Sequence, residues 1–486
     1  MSPLRLARAQ PSVTEPAYIG VREIRHLLRE PSCHRPAMGT YTARDMPQAS
    51  LHLGAANPYA LSSILRASDG CTIVASEDIC DDRGTKLWAR HQPVSHALQQ
   101  RLLDRKLRQP LEACLKAPDG VNGTDLVQAA RELLEQSSPV ALALALRPWA
   151  SALLSEVARL PLHAVAQLLL TAMRGSRPEA FDHAIRTMAL TGAMYLHAGC
   201  DHYELRMAML AGLLHDIGEL YVNPDLLDPS HALTPAGFRH VVIHPRVGEM
   251  LLSQLTDYPA TLARAIGEHH ERGTGMGYPL RARHLSWLGC RLSAMETLSG
   301  VLASEHGDAW EHGSLALRII PGEFDPVAIS FTSQAARRVR GRAPASPRVE
   351  ASSVWELSCR LASHIDDCTA AAQQLADSAP PGRVQENARL AATLLAQLTQ
   401  AGHEIGMWAP RELLGQELTE LHVANQEIQF RLRAIQRTTS WLDVGLQPHE
   451  EAQLTLLWQA QESRNTADDH EAQPQTPAAE LSAAAA

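Results

Sequence analysis

The sequence predicts a mainly α protein, and three observations carry that reading. Aromatic residues make up only 4% of the 486-residue chain, while Ala and Leu, which lose little side-chain entropy in a helix, are abundant. Apolar residues recur at helical spacing from about residue 125 onward. Strand-like patterning is confined to a short stretch near residues 71–88.

In chain order, residues 1–55 are polar and dotted with Pro, a loose lead-in with one short helix expected around Val21–Leu28. Residues 56–125 read as a small α/β element. Cys71–Ala75 is a strand candidate, Asp81-Asp82-Arg83-Gly84 supplies turn chemistry, and Thr85–Trp88 is the expected returning strand of a hairpin. A helix from Ser95 follows, with Leu98, Leu102, Leu103 and Leu107 on one face. Residues 126–340 read as helical throughout, broken at Ser137-Ser138-Pro139, Pro161, Gly175–Pro178 and Pro224. Arg337–Ser353 is basic and holds Pro and Ser, a linker composition.

Residues 354–445 return to helical periodicity. Leu414, Leu418, Leu421, Asn425, Ile428, Leu432 and Ile435 alternate spacings of four and three, a heptad seam with Asn425 at a core position. The seam fits either a homodimer through 411–442 or an intrachain helical bundle. The tail, 461–486, is polar and then Ala-rich, a composition expected to stay disordered.

Composition also excludes. The net charge of −9 disfavours a polymeric nucleic-acid surface, which needs clustered cations, but not a small phosphate-bearing ligand. Eight cysteines form no CxxC and read as free thiols of a reducing compartment. No secretory signal is evident, and the most apolar run, Val140–Leu146, falls far short of the ~20 residues that span a bilayer. The expected location is cytoplasmic, without a membrane partner.

The segment 125–340 holds 13 of the 23 histidines. Glu179 and His183, four apart, would share a helix face. The apolar run Leu205–Leu214 ends in His215-Asp216-Ile217-Gly218, where Gly218 permits a turn. His244 stands in Ile243-His244-Pro245. Glu268-His269-His270-Glu271 closes a helix expected to start near Ala260, and a Gly-rich string, 273–279, follows. Imidazole and carboxylate donors together suit borderline divalent metals such as iron, manganese, zinc or nickel. One aspartate can bridge two metals, and a metal pair can polarise a phosphoryl group and generate a hydroxide near neutral pH.

Together the strings His183, His215-Asp216-Ile217-Gly218, Asn223–Leu227, Leu233-Thr234, His244-Pro245, His269-His270-Glu271-Arg272, Gly277-Tyr278-Pro279 and Phe324-Asp325-Pro326 resemble the HD-GYP family, bacterial phosphodiesterases of cyclic dinucleotides, chiefly cyclic di-GMP. The match runs in order over about 175–335, and the hairpin and helix at 70–115 resemble a segment often found ahead of such domains. The resemblance implies an all-helical HD-domain core between the small α/β element and the C-terminal helical region. It implies two or three divalent metal ions, iron or manganese first and zinc or nickel next, held by Glu179, His183, His215, Asp216, His244, His269 and His270. Asp216 would be the bridge, and His215 and Asp216 the catalytic pair. Gly277, Tyr278 and Pro279 would shape the substrate mouth. The implied reaction is hydrolysis of a cyclic dinucleotide by a metal-activated hydroxide, with no covalent enzyme intermediate.

Three departures stand out. The family's lysine after the HD turn is Glu219, which reverses the charge offered to a phosphate. An aspartate ligand expected six residues beyond Arg291 is Thr297; Glu296 is adjacent but about 100° away around a helix. The usual Trp-Asp before the Gly string is Gly273-Thr274. The alternatives are therefore a degenerate HD-GYP module that binds a nucleotide or protein partner in signalling without turnover, and a purely scaffolding helical protein.

Overall fold

The computed structural model describes residues 56–458, apart from 103–104, 137, 146–148, 229, 304–308, 341–349, 410–414 and 444. The lead-in 1–55 with its short helix, the tail 461–486, Leu103, Leu414 and most of the expected linker lie outside the described residues.

Helices dominate. They are α1 (Pro58–Ser68), α2 (His96–Leu102), α3 (Gly123–Glu135), α4 (Pro139–Ala145), α5 (Trp149–Val157), α6 (Ala164–Ser176), α7 (Pro178–Ala198), α8 (His202–Leu214) and α9 (Pro235–Val241). The series continues with α10 (His244–Leu255), α11 (Ala260–Glu268), α12 (Trp287–Leu302), α13 (Ala309–Ala316) and α14 (Pro326–Val339). It closes with α15 (Ala351–Ser378), α16 (Arg383–Glu404), α17 (Gln416–Ser440) and α18 (Pro448–Trp458). Among the described residues no helix is long and apolar enough to cross a membrane.

The small α/β element pairs differently from the expected hairpin. β1 (Val74–Ala75) pairs with β4 (Leu115–Lys116), and β2 (Ile79–Cys80) with β3 (Lys86–Trp88), both antiparallel. The turn itself is where the residues place it. Gly84 at φ 83° donates its N–H to the Asp81 carbonyl, and the Asp81 side chain accepts from the N–H groups of Arg83 and Thr85. A turn this tight recruits the strand directly before it, 79–80, so residues 71–75 look elsewhere for a partner. The helix from Ser95 is likewise shorter than its leucines suggest, since Leu107 sits in a bridge opposite Asp81.

This element is not an appendage. Helix α1 is capped by Asn57, whose side chain accepts from Tyr59 and Ala60 N–H groups, and its apolar face packs on α6. One continuous core runs from Ala60 through α6, α7, α8 and α12 to Val339 in α14. Arg337–Val339 thus end a helix rather than begin a linker.

A second core belongs to the C-terminal helices α15–α17 and also takes in Leu315, Ile319 and Ile320. The heptad seam of α17 is buried here, inside the chain. Asn425 accepts from Ser358 Oγ at 2.8 Å and donates to the Val354 carbonyl at 2.9 Å, both on α15. Within the chain, α15 meets the seam at Asn425. A third cluster, Phe238, Val242, Tyr278 and Leu442, joins the Gly-rich loop to the end of α17.

Candidate metal centre

Five helices deliver side chains to a common point, four of them from an end or a turn near one. His183 lies in the second turn of α7, His215 caps the C-terminus of α8, His244 opens α10 and His269 caps α11. Glu296 comes from the middle of α12. A helix end leaves backbone carbonyls without intrahelical partners, and the histidines use them. Nδ1 of His215 lies 2.9 Å from the Gly212 carbonyl, Nδ1 of His244 2.8 Å from that of Val241, and Nδ1 of His269 2.6 Å from that of Ile266. A carbonyl only accepts, so each Nδ1 carries a proton. In the neutral ring the inward-turned Nε2 is then the lone pair, the tautomer a metal ligand needs.

Asp216 is the hub. Its Oδ2 stands 2.8 Å from His215 Nε2 and 3.6 Å from His183 Nε2. Its Oδ1 stands 3.4 Å from Nε2 of both His244 and His269. Glu296 Oε2 completes the first side, 2.9 Å from His183 Nε2 and 2.8 Å from His215 Nε2. Two donor groups result, each within reach of a single ion: His183, His215, Asp216 and Glu296; and Asp216, His244, His269 and His270. Asp216 belongs to both.

The polar accounting fits a cation. Both ring nitrogens of His270 and Oδ1 of Asp216 are buried with no hydrogen-bond partner among the described residues, an expensive state for polar atoms. Two inward-facing nitrogens, on His244 and His269, approach to 3.2 Å. Lone pair against lone pair is repulsive unless something positive stands between or beside them.

Electrostatics differ from ring to ring: in the second group burial pulls His244 down, but the Asp216 carboxylate holds it above its ordinary value. Burial alone would push the His215 imidazole down, but the carboxylates of Asp216 and Glu296 outweigh it and hold it well above the usual range. Asp216 is held well below the carboxylate range, burial being overridden by His215 and then by the rings of His244 and His269. On the other side, burial pushes His269 down to about 4, and burial with the neighbouring His269 and His244 rings holds His270 well below its ordinary value. His269 and His270 are thus neutral imidazoles at neutral pH.

Three sequence expectations need revision. Glu179 is exposed in the first turn of α7 and stands outside both donor groups; an acid there is favoured by the helix N-terminus and needs no metal to explain it. Glu296, which the count along the helix places off the site, is the carboxylate that reaches the centre. Thr297 instead accepts from Arg272 Nη2 at 2.9 Å. Gly218 lies in the turn after Asp216 and serves close approach as well: a Cβ there would lie 2.0 Å from the His244 carbonyl oxygen, so only Gly lets this turn touch the start of α10.

The loop 277–279 lies against His270, and Tyr278 stacks on its ring with centroids 4.6 Å apart. Gly277 is again a close approach, with a Cβ placed 2.4 Å from the His270 carbonyl. Glu271 fixes the far end of this loop, accepting from Leu280 N–H at 2.6 Å and Ala282 N–H at 2.8 Å, a duty that its place in the His-His-Glu string does not reveal. Glu219 is buried. It forms an ion pair with Arg177 at 2.6 Å.

The sequence model of the HD domain family matches residues 168–286, which hold every donor named above except Glu296. Residues 168–286 of this chain are thus similar to an HD domain. The resemblance of its motifs to the HD-GYP family stands with it. A Pseudomonas aeruginosa protein named as a cyclic di-GMP phosphodiesterase is 30% identical over 170 residues, 34% of this chain and 41% of its own. A 3′3′-cGAMP-specific phosphodiesterase of Vibrio cholerae is 45% identical over 69 residues, 14% of this chain and 15% of its own. This chain therefore spans less than half the length of either relative. A solved HDG"Y"P protein of Bdellovibrio bacteriovorus overlaps 55% of this chain and 94% of its own at 15% identity, with a TM-score of 0.30.

Proposed function

We propose that this chain is a metal-dependent phosphodiesterase that hydrolyses a cyclic dinucleotide at its HD domain, cyclic di-GMP being the first substrate to try. The observation that carries the reading is the position of Asp216, one oxygen toward each of two histidine groups. His183, His215 and Glu296 would hold one divalent ion, His244, His269 and His270 the other, with Asp216 shared. No cysteine joins either group among the described residues, so nitrogen and oxygen donors alone favour iron or manganese over softer ions. Two such ions, when bound, polarise a phosphoryl group and supply a nucleophile near neutral pH.

The protein's part is to orient and to shield. Carbonyls of Gly212, Val241 and Ile266 hold three imidazoles in register. Tyr278 and Gly277 close one side of His270. His215 and Asp216 are the pair on which turnover depends in this reading.

The test is direct. Chain loaded with iron or manganese should bind close to two ions and convert cyclic di-GMP to a linear product, and His215→Ala with Asp216→Ala should abolish both. Unchanged turnover in that double variant would end the assignment. Glu219, an anion where the family has a lysine, favours one second reading, a module that binds a nucleotide or a protein partner without turnover. Tight binding of cyclic dinucleotide with no product in the metal-loaded chain would select it.

A further inference from the structure

The turn that carries His269 and His270 is gripped at three consecutive carbonyls. Helix α11 ends at Glu268, and a helix end leaves its last carbonyls without intrahelical partners. Arg272 Nη1 donates to the His269 carbonyl at 3.2 Å and to that of Glu271 at 3.0 Å. The Tyr278 N–H donates to the His270 carbonyl between them at 3.1 Å. The Arg272 guanidinium is itself anchored on α12, donating to Ser293 Oγ at 2.7 Å and Thr297 Oγ1 at 2.9 Å.

Both grips lead to the C-terminal bundle. Arg272 Nε stands 4.0 Å from Glu323 Oε1, and the other oxygen of that carboxylate accepts from Arg431 Nη2 of α17 at 3.3 Å. The Glu323 carbonyl also accepts from the Gly273 N–H at 3.2 Å. Arg431 donates further to the Ala316 carbonyl at 2.8 Å and to Glu427, one turn back on α17, which His312 meets at 2.6 Å. Burial pushes the Glu323 carboxyl up, and Arg431, then Arg272, pull it down. The loop of Tyr278 is held by the same bundle: Thr438 Oγ1 of α17 donates to the Met276 carbonyl at 3.0 Å, and Arg281 Nη1 to Asn387 Oδ1 of α16 at 2.9 Å.

Arg272, Glu323, Glu427 and Arg431 are all buried. Two cations and two anions balance there, in a place that charges enter only at a cost and where apolar residues of like size would hold the fold as well. What the set supplies is direction, from α17 to the backbone of the His-His-Glu string. The first donor group is held from elsewhere: the Gly212 carbonyl of α8 fixes His215, and Arg186 of α7 and Ser299 of α12 flank His183.

We propose that Arg431 is a positioning residue for the second donor group: through Glu323 and Arg272 it fixes the turn that aims His269 and His270, so the C-terminal bundle sets how tightly that group holds its ion. The inference rests on the reading of the two donor groups as metal sites. Residues that hold the ligands rather than the metal contribute roughly 10- to 100-fold to metal affinity, because a displaced ligand binds poorly.

The experiment measures equilibrium binding of manganese to the full chain, by the resonance signal of free ion and by metal analysis. Arg431→Met alone would leave an excess buried acid, so Glu427→Gln accompanies it. This double variant should bind one ion as wild type does and the other roughly tenfold more weakly. Two backgrounds assign the weakened ion. With Glu296→Ala, which disables the first group, the double variant should hold the remaining ion about tenfold more weakly; with His270→Ala, which disables the second, it should change nothing. Glu323→Gln, which takes the charge from the middle of the path and keeps its shape, should weaken the same ion and is the variant to read if the double variant fails to fold. Arg431→Lys keeps a cation beside Glu323 and should stay within about threefold of wild type. Leu395→Ala truncates the bundle core on another helix; it should lower the melting temperature and leave both affinities unchanged, which separates positioning from a general loss of packing.

Wild-type affinity for both ions in the double variant and in Glu323→Gln would overturn the role of Arg431. Equal weakening of both ions, or the same weakening by Leu395→Ala, would overturn it too. A wild type that binds no manganese would overturn the metal centre and this role with it. Selective loss of the second ion in a chain that hydrolyses no cyclic di-GMP would uphold the positioning role while the enzymatic reading fails.

Discussion

The Glu296 carboxylate lies 2.8 Å from Nε2 of His215. It reaches His183 as well, at 2.9 Å, and so supplies the only Glu side chain in either donor group among the described residues. Glu296→Ala should leave the second group intact and lower bound metal from about two ions to about one per chain, with turnover falling by about 100-fold or more. Metal analysis of the purified variant reads this. Thr297→Ala is the contrast: metal content should not change, while the lost acceptor for Arg272 costs about 1–2 kcal/mol of stability. Equal metal loss in both variants would show that Glu296 is not a ligand.

That pair also shows where sequence reasoning stops. The histidines and Asp216 are legible because most sit in short strings at helix ends, where local chain direction decides what a side chain faces. Glu296 lies mid-helix, and counting from Arg291 to the expected aspartate selects its neighbour. Which face of α12 meets the centre is set by packing against α7 and α8, information that a spacing along one helix does not contain. Glu179 misleads for the opposite reason. Its four-residue spacing from His183 is satisfied, yet the first turn of α7 ends at solvent. The α17 seam is legible as a buried stripe, but a heptad pattern is silent about whose helix fills it.

Metal binding should release protons at neutral pH. Asp216 and Glu296 hold the His215 imidazole well above its ordinary value, so the metal-free chain keeps it protonated at pH 7, whereas His269, at about 4, and His270 are already neutral. A ligand must be deprotonated to bind. Loading the first group therefore expels about one proton, and affinity there rises with pH up to the raised value of His215. Calorimetric titrations in two buffers of different ionisation enthalpy measure the release. A value near zero at pH 7 would contradict the protonated state of His215.

A lysine at position 219 should damage this chain. Glu219 is buried and pairs with Arg177 at 2.6 Å, and Arg177 begins the helix that carries His183. Glu219→Lys replaces an ion pair with two like charges in a poorly solvated place, which costs about 3 kcal/mol. The variant should melt several degrees lower and bind metal less tightly through its displaced His183. Reversing the pair, Arg177→Glu with Glu219→Lys, should recover most of that loss. A single variant as stable as wild type would mean that the pair contributes nothing.

The N-terminal element is coupled to the HD turn through a buried acid. Tyr221 ends the short helical turn Ile217–Tyr221 that follows Asp216, and it donates its hydroxyl to Glu112 at 2.5 Å. Burial pushes the Glu112 carboxyl above its ordinary 4.5, against the lowering effect of the Tyr221 bond. The folded state thus holds this proton more tightly than the unfolded state does. The associated stability is fully present below about pH 4.5, and is lost as pH rises through the folded value. Glu112→Gln cannot ionise and still accepts the hydroxyl. It should melt above wild type at about pH 7–8, and the gap should close on acidification toward about pH 4. Tyr221→Phe should do the reverse, leaving the acid without its donor and costing about 1–3 kcal/mol. Thermal melts of the three proteins across that range decide it, and a Glu112→Gln variant less stable than wild type at about pH 8 would show that the ionised acid is the form the fold prefers.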